Sequence, residues 1–457
     1  MGCFLYARIA AFAIACSFLD AHASGTTLGA FRAPVKVGAG NELCWQSLFD
    51  AELAEAALSL RGSIGRYPGG TPSDYWDFKT GWGTDVSPPI RRATPRDWSS
   101  WTRASNITDT VIDVNQLTHN LSYAIEGLRA HETSGTRVKF IELGNEMYDS
   151  SRTDVLEAYP QPVDYAKKMA LWIPEIKAAF PSAQIALIGV RWDPASAPER
   201  ELAWNKQVLQ GNYSLGADAA TIHIYCGGFP SSDENVPAPD GYANFLGGAE
   251  EYVDRNRQNI AATIPLRLRV WVTELGVYPP AGPLDGTWLQ AIYFGILISG
   301  LSAIPRIDMV LPYCLVCADK TGPSITTKTG PIVNPNVKSK WYLTPKGIVQ
   351  REIYSLFADA STMAPLVLGV KNVHGWYVNL VSNASYGMFL LNKKNETISV
   401  NLPEMHSGCT YKSIFPKLLT DATLQGLVEN DLGIETAAPT GIVAQLYALS
   451  VTTIVCK

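Results

Sequence analysis

Two periodicities divide the chain. From about residue 33 to residue 358, short runs rich in Val, Ile and Leu alternate with longer stretches in which apolar residues recur every three to four positions. These are the marks of buried strands and amphipathic helices. The strand-like runs are "APVKVGAG", "GSIGRYPGG", "TVIDVNQLT", "VKFIELGN", "QIALIGVRW", "AATIHIY", "RLRVWVTELGVY" and "IDMVLPYC". Helical stretches such as "DAELAEAALSL", "HNLSYAIEGLRAHE", "DYAKKMALWIPEIKAAF", "RELAWNKQVLQ" and "GAEEYVDRNRQNIAATI" lie between them. Roughly eight strand–helix units at this length predict an α/β protein of the (β/α)8 TIM-barrel class. An open doubly wound sheet is the rival, but no Gly-rich phosphate fingerprint follows the first strand.

Beyond residue 358 the period changes to two. "GWYVNLVSN", "YGMFLLNKK", "ETISVNLP" and "YALSVTTIVC" are short alternating strands with Asn and Gly turns, and they predict a C-terminal all-β sandwich. The expected division is a leader at 1–23, a barrel at 24–358 and a β-sandwich at 359–457. The apolar stretch "WLQAIYFGILISGLSAI" is short of about 20 residues and lies between two strands, so a packed helix is expected and no membrane span in the mature chain.

Composition narrows the class of partner. Hydrophobic residues make up 47% and charged residues 17%, a globular balance, and the net charge is -5. With no basic tract, nucleic acid is not an expected partner. "FLYARIAAFAIACSFL" followed by "AHA" has the pattern of a secretory signal, which predicts a secreted, extracellular protein. Sequons at Asn106, Asn120, Asn212, Asn383 and Asn395 agree with that compartment. So do six cysteines left after the leader, an even number that favours disulfides. Cys409 and Cys456 fall on neighbouring strands of the β-domain and are expected to pair. "CLVC" at 314–317 lacks a second C-x-x-C to complete a zinc site, so a disulfide or buried thiols are expected there.

Candidate chemistry sits at strand ends. "VKFIELGNEMY" is apolar until Gly144 and Asn145, and then Glu146 arrives; "VWVTELGVY" places Glu274 at the end of the seventh strand. In a barrel, the fourth and seventh strands face one another across the C-terminal mouth, so both carboxylates converge on one cleft. Such a pair equips a site for glycoside hydrolysis, and it equally suits ion pairs to arginines such as Arg66 or Arg191. Trp76, Trp82, Trp98 and Trp101 in the long second loop are suited to stacking on sugar rings or to packing.

These segments resemble a known family. "IELGNEMY" and "VTELG" are similar to the acid/base and nucleophile strands of retaining barrel glycosidases. "GRYPGGTPSDYWDF" resembles the second-strand motif of glycoside hydrolase family 79, the heparanase and β-glucuronidase family. The resemblance runs in order along nearly the whole mature chain. It implies Glu146 as general acid/base and Glu274 as nucleophile, with Asn145 on the sugar 2-hydroxyl. It further implies Asp74 on sugar hydroxyls, His223 and Tyr225 at the sixth strand's end with Tyr225 holding the nucleophile, and Tyr313 closing the eighth. A Tyr such as Tyr278 lies in the loop that holds a uronate carboxylate. That loop departs from the family pattern, because Pro279 and Pro280 have no N–H to donate.

The resulting expectation is a secreted retaining β-glycosidase, β-glucuronidase-like, acting on oligo- or polysaccharides that include uronic acids. It implies no metal and no organic cofactor. An arabinofuranosidase or xylosidase on the same barrel is the enzymatic alternative, and a non-catalytic carbohydrate-binding protein is the other. A retaining pair should stand about 5–5.5 Å apart, against about 6.5–9.5 Å for an inverting one. Burial and a like charge are expected to hold the proton of Glu146 to a higher pH than that of a free Glu.

Overall fold

The computed structural model describes residues 26–456 apart from 42–47, 49–50, 84–89, 92, 192–197, 278–281, 316–324, 328–340, 369, 371, 382–384, 403–407, 424–430 and 438–442. The leader, Cys44, Tyr278, Pro279, Pro280, Cys317 and Asn383 lie outside the described residues.

Eight parallel strands close into a barrel in sequential order: β1 (Lys36–Asn41), β2 (Ile64–Tyr67), β3 (Asp109–Asp113), β4 (Phe140–Glu142), β5 (Gln184–Ile188), β6 (Ala219–Cys226), β7 (Arg269–Val277) and β8 (Ile307–Pro312). Each is followed by a helix: α1 (Ala51–Leu60), α2 (Pro95–Ala104), α3 (Leu121–Ser134), α4 (Pro162–Ala179), α5 (Glu199–Val208), α6 (Tyr242–Thr263), α7 (Trp288–Ser302) and α8 (Pro345–Phe357). The lower barrel is filled by Ile64, Val111, Phe140, Ala186, Ala219, Trp271, Met309 and Leu311, one compact cluster drawn from several strands. It is a packed core and not a pore.

The hydrophobic pattern marks the stretch after β2 as a loop, and the structure places α2 there. Its start is written locally. Thr94 accepts from the Asp97 N–H, the Asp97 carboxylate accepts from the Thr94 N–H, and Pro95 opens the first turn. Trp98 and Trp101 form its inner face, at 1% and 2% exposure, with Trp98 stacked on Tyr67 at 4.6 Å. Trp76 is buried as well, so three of the four tryptophans suited to stacking or packing are packed, and Trp82 faces solvent.

Helix α7 is apolar all round because both its sides are covered. The Trp376 indole donates to the Ser299 carbonyl from the C-terminal sheet, and the Trp288 indole donates to the Leu449 carbonyl. On the barrel side a Cβ on Gly300 would meet Val253 of α6 at 2.7 Å. No helix among the described residues is long and apolar enough to cross a membrane.

The C-terminal strands are β9 (Ala360–Val367), β10 (Val373–Leu380), β11 (Tyr386–Asn392), β12 (Cys409–Pro416), β13 (Leu432–Ala437) and β14 (Ser450–Cys456). With Thr27–Leu28 at one edge they form a seven-stranded antiparallel sheet in the order Thr27–Leu28, β9, β10, β11, β14, β12, β13. Alternation divides its faces. Trp376, Val378, Phe389 and Leu391 join the barrel's core, while Tyr377, Met388 and Leu390 pack under a ribbon made by Ile398–Asn401 and Val443–Leu446.

Cys409 and Cys456 face each other in register and form a disulfide. Cys314 is also disulfide-bonded. The even cysteine count does not pair every thiol, because Cys226 stays free, buried at the top of β6. The Cys409–Cys456 bridge spans 47 residues, for which loop closure is worth about 4 kcal/mol. Replacing both cysteines by Ser is expected to lower the chemical unfolding free energy by that order. An unchanged denaturation midpoint would contradict this.

Candidate active site

The layer above the apolar barrel core is charged, and strand geometry explains why. Inward positions repeat every second residue, so the residues two beyond Ile64, Val111 and Phe140 also point inward. These are Arg66, Asp113 and Glu142, all buried. Strand β6 follows the same rule with Thr221, His223 and Tyr225 above Ala219.

Strand β7 breaks the rule. Val272 pairs with Ile222 and Glu274 with His223, so Thr273 is an extra residue in the ladder. A bulge of this kind re-aims side chains. Thr273 and Glu274 consequently both reach the interior network, Thr273 Oγ1 donating to Glu142 Oε1 at 2.9 Å and Glu274 accepting from Arg66.

Arg66 is the hub. Its Nε donates to Glu142 Oε2 at 2.5 Å, Nη1 to Glu274 Oε1 at 2.8 Å, and Nη2 to Asp113 Oδ2 and Asn145 Oδ1, each at 2.9 Å. Three carboxylates around one guanidinium would leave an excess of negative charge. Burial, opposed by Arg66 but helped by Glu142, pushes the Asp113 carboxyl well above its usual range. Against burial, all three carboxylates raise Arg66, Glu142 the most. The second oxygen of Glu274 accepts from the Tyr225 hydroxyl at 2.5 Å, and the Tyr225 ring packs edge-on against Tyr313 at 6.0 Å. Tyr313 is held in turn by its N–H on the Leu275 carbonyl and by Lys346 on its own carbonyl.

Glu146 belongs to the turn after β4. Gly144 has φ +92°, and a Cβ there would meet Gln116 Nε2 at 2.5 Å, so both conformation and space call for glycine. Glu146 itself has φ +48°, a strained conformation of the kind found at functional sites. Its side chain, 27% exposed, accepts from His223 Nδ1 at 2.7 Å and from the Tyr148 hydroxyl at 2.9 Å. His223 Nδ1 also stands 3.6 Å from Glu274 Oε2, between the two carboxylates.

The expectation of a raised Glu146 is corrected by this geometry. Burial does push its carboxyl upward, but His223, Tyr148 and Arg66 outweigh it and hold the group well below the usual carboxylate range. His223 moves the other way: burial lowers it, yet Glu274 and the hydrogen bond to Glu146 leave it raised. Both shifts favour a proton on the imidazole and a charge on Glu146.

The remaining expected site residues separate. Asn145 is buried with Oδ1 turned to Arg66, which leaves its NH2 as the donor for the cleft. Asp74 is fully buried and does not face the cleft. One oxygen accepts from the Asn145 N–H at 3.3 Å and the other from Arg152 at 2.7 Å, so it positions the turn that carries Glu146. Burial pushes its carboxyl up to about 7, opposed by Arg152. Arg191 donates to the Tyr225 carbonyl. Tyr278 lies outside the described residues.

A carboxylate oxygen from each of Glu146 and Glu274 and a His223 nitrogen all lie within 4.8 Å of one another. That spacing suits a small cation, but His223 already engages Glu146, and Glu274 is tied to Arg66 and Tyr225, so a cation would have to break these pairs. Carboxylate oxygens within 4.8 Å of one another agree with the close spacing of a retaining pair.

No protein-family model matches the chain, and no curated protein matches it in sequence. Solved structures do match in fold. The α-L-arabinofuranosidase of Thermotoga maritima superposes with a TM-score of 0.70 at 14% identity, covering 94% of this chain and 99% of that one. The family 51 α-L-arabinofuranosidase AbfB of Bifidobacterium longum gives 0.68 at 14% identity, over 95% and 100%. The 4-O-α-L-rhamnosyl-β-D-glucuronidase of Fusarium oxysporum gives 0.64 at 13% identity, over 95% and 100%. Likeness at this level shows a shared barrel with its β-domain.

The raised His223 makes stability depend on pH. Its folded value lies above the 6.5 of a free imidazole, so its contribution is full below about 6.5 and is lost as pH rises through the folded value. The lowered Glu146 contributes above about 4.5 and loses that only as pH falls towards about 2. His223→Asn is expected to destabilise the protein more at pH 6 than at pH 9 in urea titrations. An equal loss at both would contradict a protonated imidazole.

Proposed function

We propose that the protein is a retaining glycosidase in which Glu274 is the nucleophile and Glu146 the acid/base. One observation carries this reading: two glutamates at the ends of opposite strands, an oxygen of one within 4.8 Å of an oxygen of the other, differently partnered, over a single barrel mouth. Glu274, gripped by Arg66 and Tyr225, is fixed for attack on an anomeric carbon. Glu146 stands in the opening and delivers a proton to the departing oxygen. That proton crosses the 2.7 Å hydrogen bond from His223. In the second step Glu146 takes a proton from water, the hydroxide oxygen displaces Glu274, and the proton returns to His223.

For the sugar, the fold neighbours weigh towards an α-L-arabinofuranoside, since both arabinofuranosidases above cover nearly the whole chain. A β-glucuronide is the second reading. The segment at 65–78, its resemblance to glycoside hydrolase family 79, and the Fusarium oxysporum glucuronidase fold support it. An extracellular, glycosylated protein is part of the proposal, supported by the leader pattern and by the exposed sequon residues Asn106, Asn120, Asn212 and Asn395.

Aryl arabinofuranoside, glucuronide, xyloside and glucoside assayed side by side test the sugar, with arabinofuranoside expected to give the highest kcat/KM. A glucuronide preference above about 100-fold, roughly 2.7 kcal/mol, would reverse the order of the two readings. Glu274→Ala is expected to abolish turnover of every substrate. Glu146→Ala should still cleave substrates with good leaving groups, and azide should restore turnover with retained configuration. An azide product of inverted configuration from Glu146→Ala would overturn the two roles.

A further inference from the structure

One residue beside Glu274 is held at both ends of its backbone. Tyr313, just past the end of β8, donates its N–H to the Leu275 carbonyl at 2.9 Å, and Leu275 directly follows Glu274 on β7. The Tyr313 carbonyl accepts from Lys346 Nζ at 2.8 Å. The Tyr313 ring meets the Tyr225 ring edge-on at 6.0 Å. Tyr225 in turn lies against β7, where a Cβ on Gly276 would stand 2.5 Å from its ring. The ring whose hydroxyl reaches Glu274 is therefore bounded by Gly276 and by Tyr313.

Lys346 is an uncommon choice for this anchor. It follows Pro345 in the first turn of α8 and is buried. A cation there meets the positive end of the helix dipole, and burial removes its water. Burial pushes its amine down to about 7, opposed by Asp285 from the loop between β7 and α7. The start of α8 has other means of support, since the Thr344 hydroxyl accepts from the Gly347 N–H at 3.1 Å and Pro345 opens the first turn. Lys346 Nζ stands 4.4 Å from the centre of the Phe294 ring of α7. An unbranched apolar side chain such as Met would suit that space with no charge to bury. It would lack the donor for Tyr313.

We propose that Lys346 is a positioning residue for the nucleophile: through the Tyr313 carbonyl it fixes the Tyr313 ring, and that ring keeps the Tyr225 hydroxyl on Glu274. The role is distinct from that of Arg66, which holds the other oxygen of Glu274. Without the lysine, Glu274 keeps its cation and loses its orientation. The catalytic part of the proposal rests on Glu274 as nucleophile; the arrangement of the two rings does not.

Lys346→Met removes the donor, and Lys346→Gln, which keeps a shorter one, takes its place in both measurements if the Met variant does not fold. The first measurement is kcat and KM for the aryl glycoside that gives the highest kcat/KM in the comparison above. Lys346→Met is expected to lower kcat at least tenfold with KM within about threefold. In a Tyr225→Phe background, where the hydroxyl is already gone, the same substitution should change kcat less than twofold. A lysine that serves stability alone would act equally in both backgrounds. The second measurement is the NMR spectrum of the full chain with 13C-labelled tyrosine rings. The Tyr225 signal, identified by its loss in Tyr225→Phe, is expected to shift in Lys346→Met. An unchanged kcat in the single variant, an equal loss in both backgrounds, or an unmoved Tyr225 signal would overturn the proposal. If no aryl glycoside is turned over, the glycosidase reading fails, and the Tyr225 signal still decides whether Lys346 sets the rings.

Discussion

A single buried guanidinium organises the mouth of this barrel. Arg66 has no exposed side-chain surface and donates to residues from β3, β4, β7 and the turn after β4. Burying that charge is costly, and only well-placed acceptors repay it. Removing the guanidinium would leave Glu142 and Glu274 buried without their cation, a change that typically costs about 3–5 kcal/mol. The hub therefore ties fold to site. The strands must close in one register for Arg66 to be satisfied, and that register places Glu274 opposite Glu146.

The two glutamates differ because their surroundings differ. Glu274 is clasped by Arg66 and Tyr225 and is almost inaccessible, whereas Glu146 is partly open and held by His223 and Tyr148. Burial alone would make Glu146 a reluctant acid; the imidazole opposes this, lowering Glu146 while being raised itself. In the proposed reaction, a substrate oxygen entering beside Glu146 would lie one hydrogen bond from His223. Asp74 and Arg152 support the arrangement from behind, fixing the backbone of Asn145 just before the strained Glu146.

Much of this was legible in the residues. The eight strands, the barrel and the β-domain follow from a period that changes from buried runs to alternation, and Glu146 and Glu274 follow from their place at strand ends. Helix α2 was hidden because its tryptophans resemble a binding loop; the signal lay in the local "TPRD" cap. The hub was hidden for a different reason. Arg66, Asp113 and Glu142 each sit two residues beyond an inward apolar side chain, which marks them as interior charges, but strand period alone does not say which charges meet. The bulge at Thr273 left no trace in the pattern, and without it Thr273 and Glu274 would point to opposite faces. The depressed Glu146 depends on a contact across 77 residues of sequence, which no local reading supplies.

The claim on which everything else turns is that Glu274 becomes covalently attached to sugar. Incubation with a 2-deoxy-2-fluoro glycoside carrying a good leaving group slows release of the intermediate and allows it to be found by mass. Peptide mapping is predicted to place one fluorosugar on the peptide that contains Glu274. A label on Glu146, or full turnover of other substrates after stoichiometric labelling elsewhere, would contradict the account.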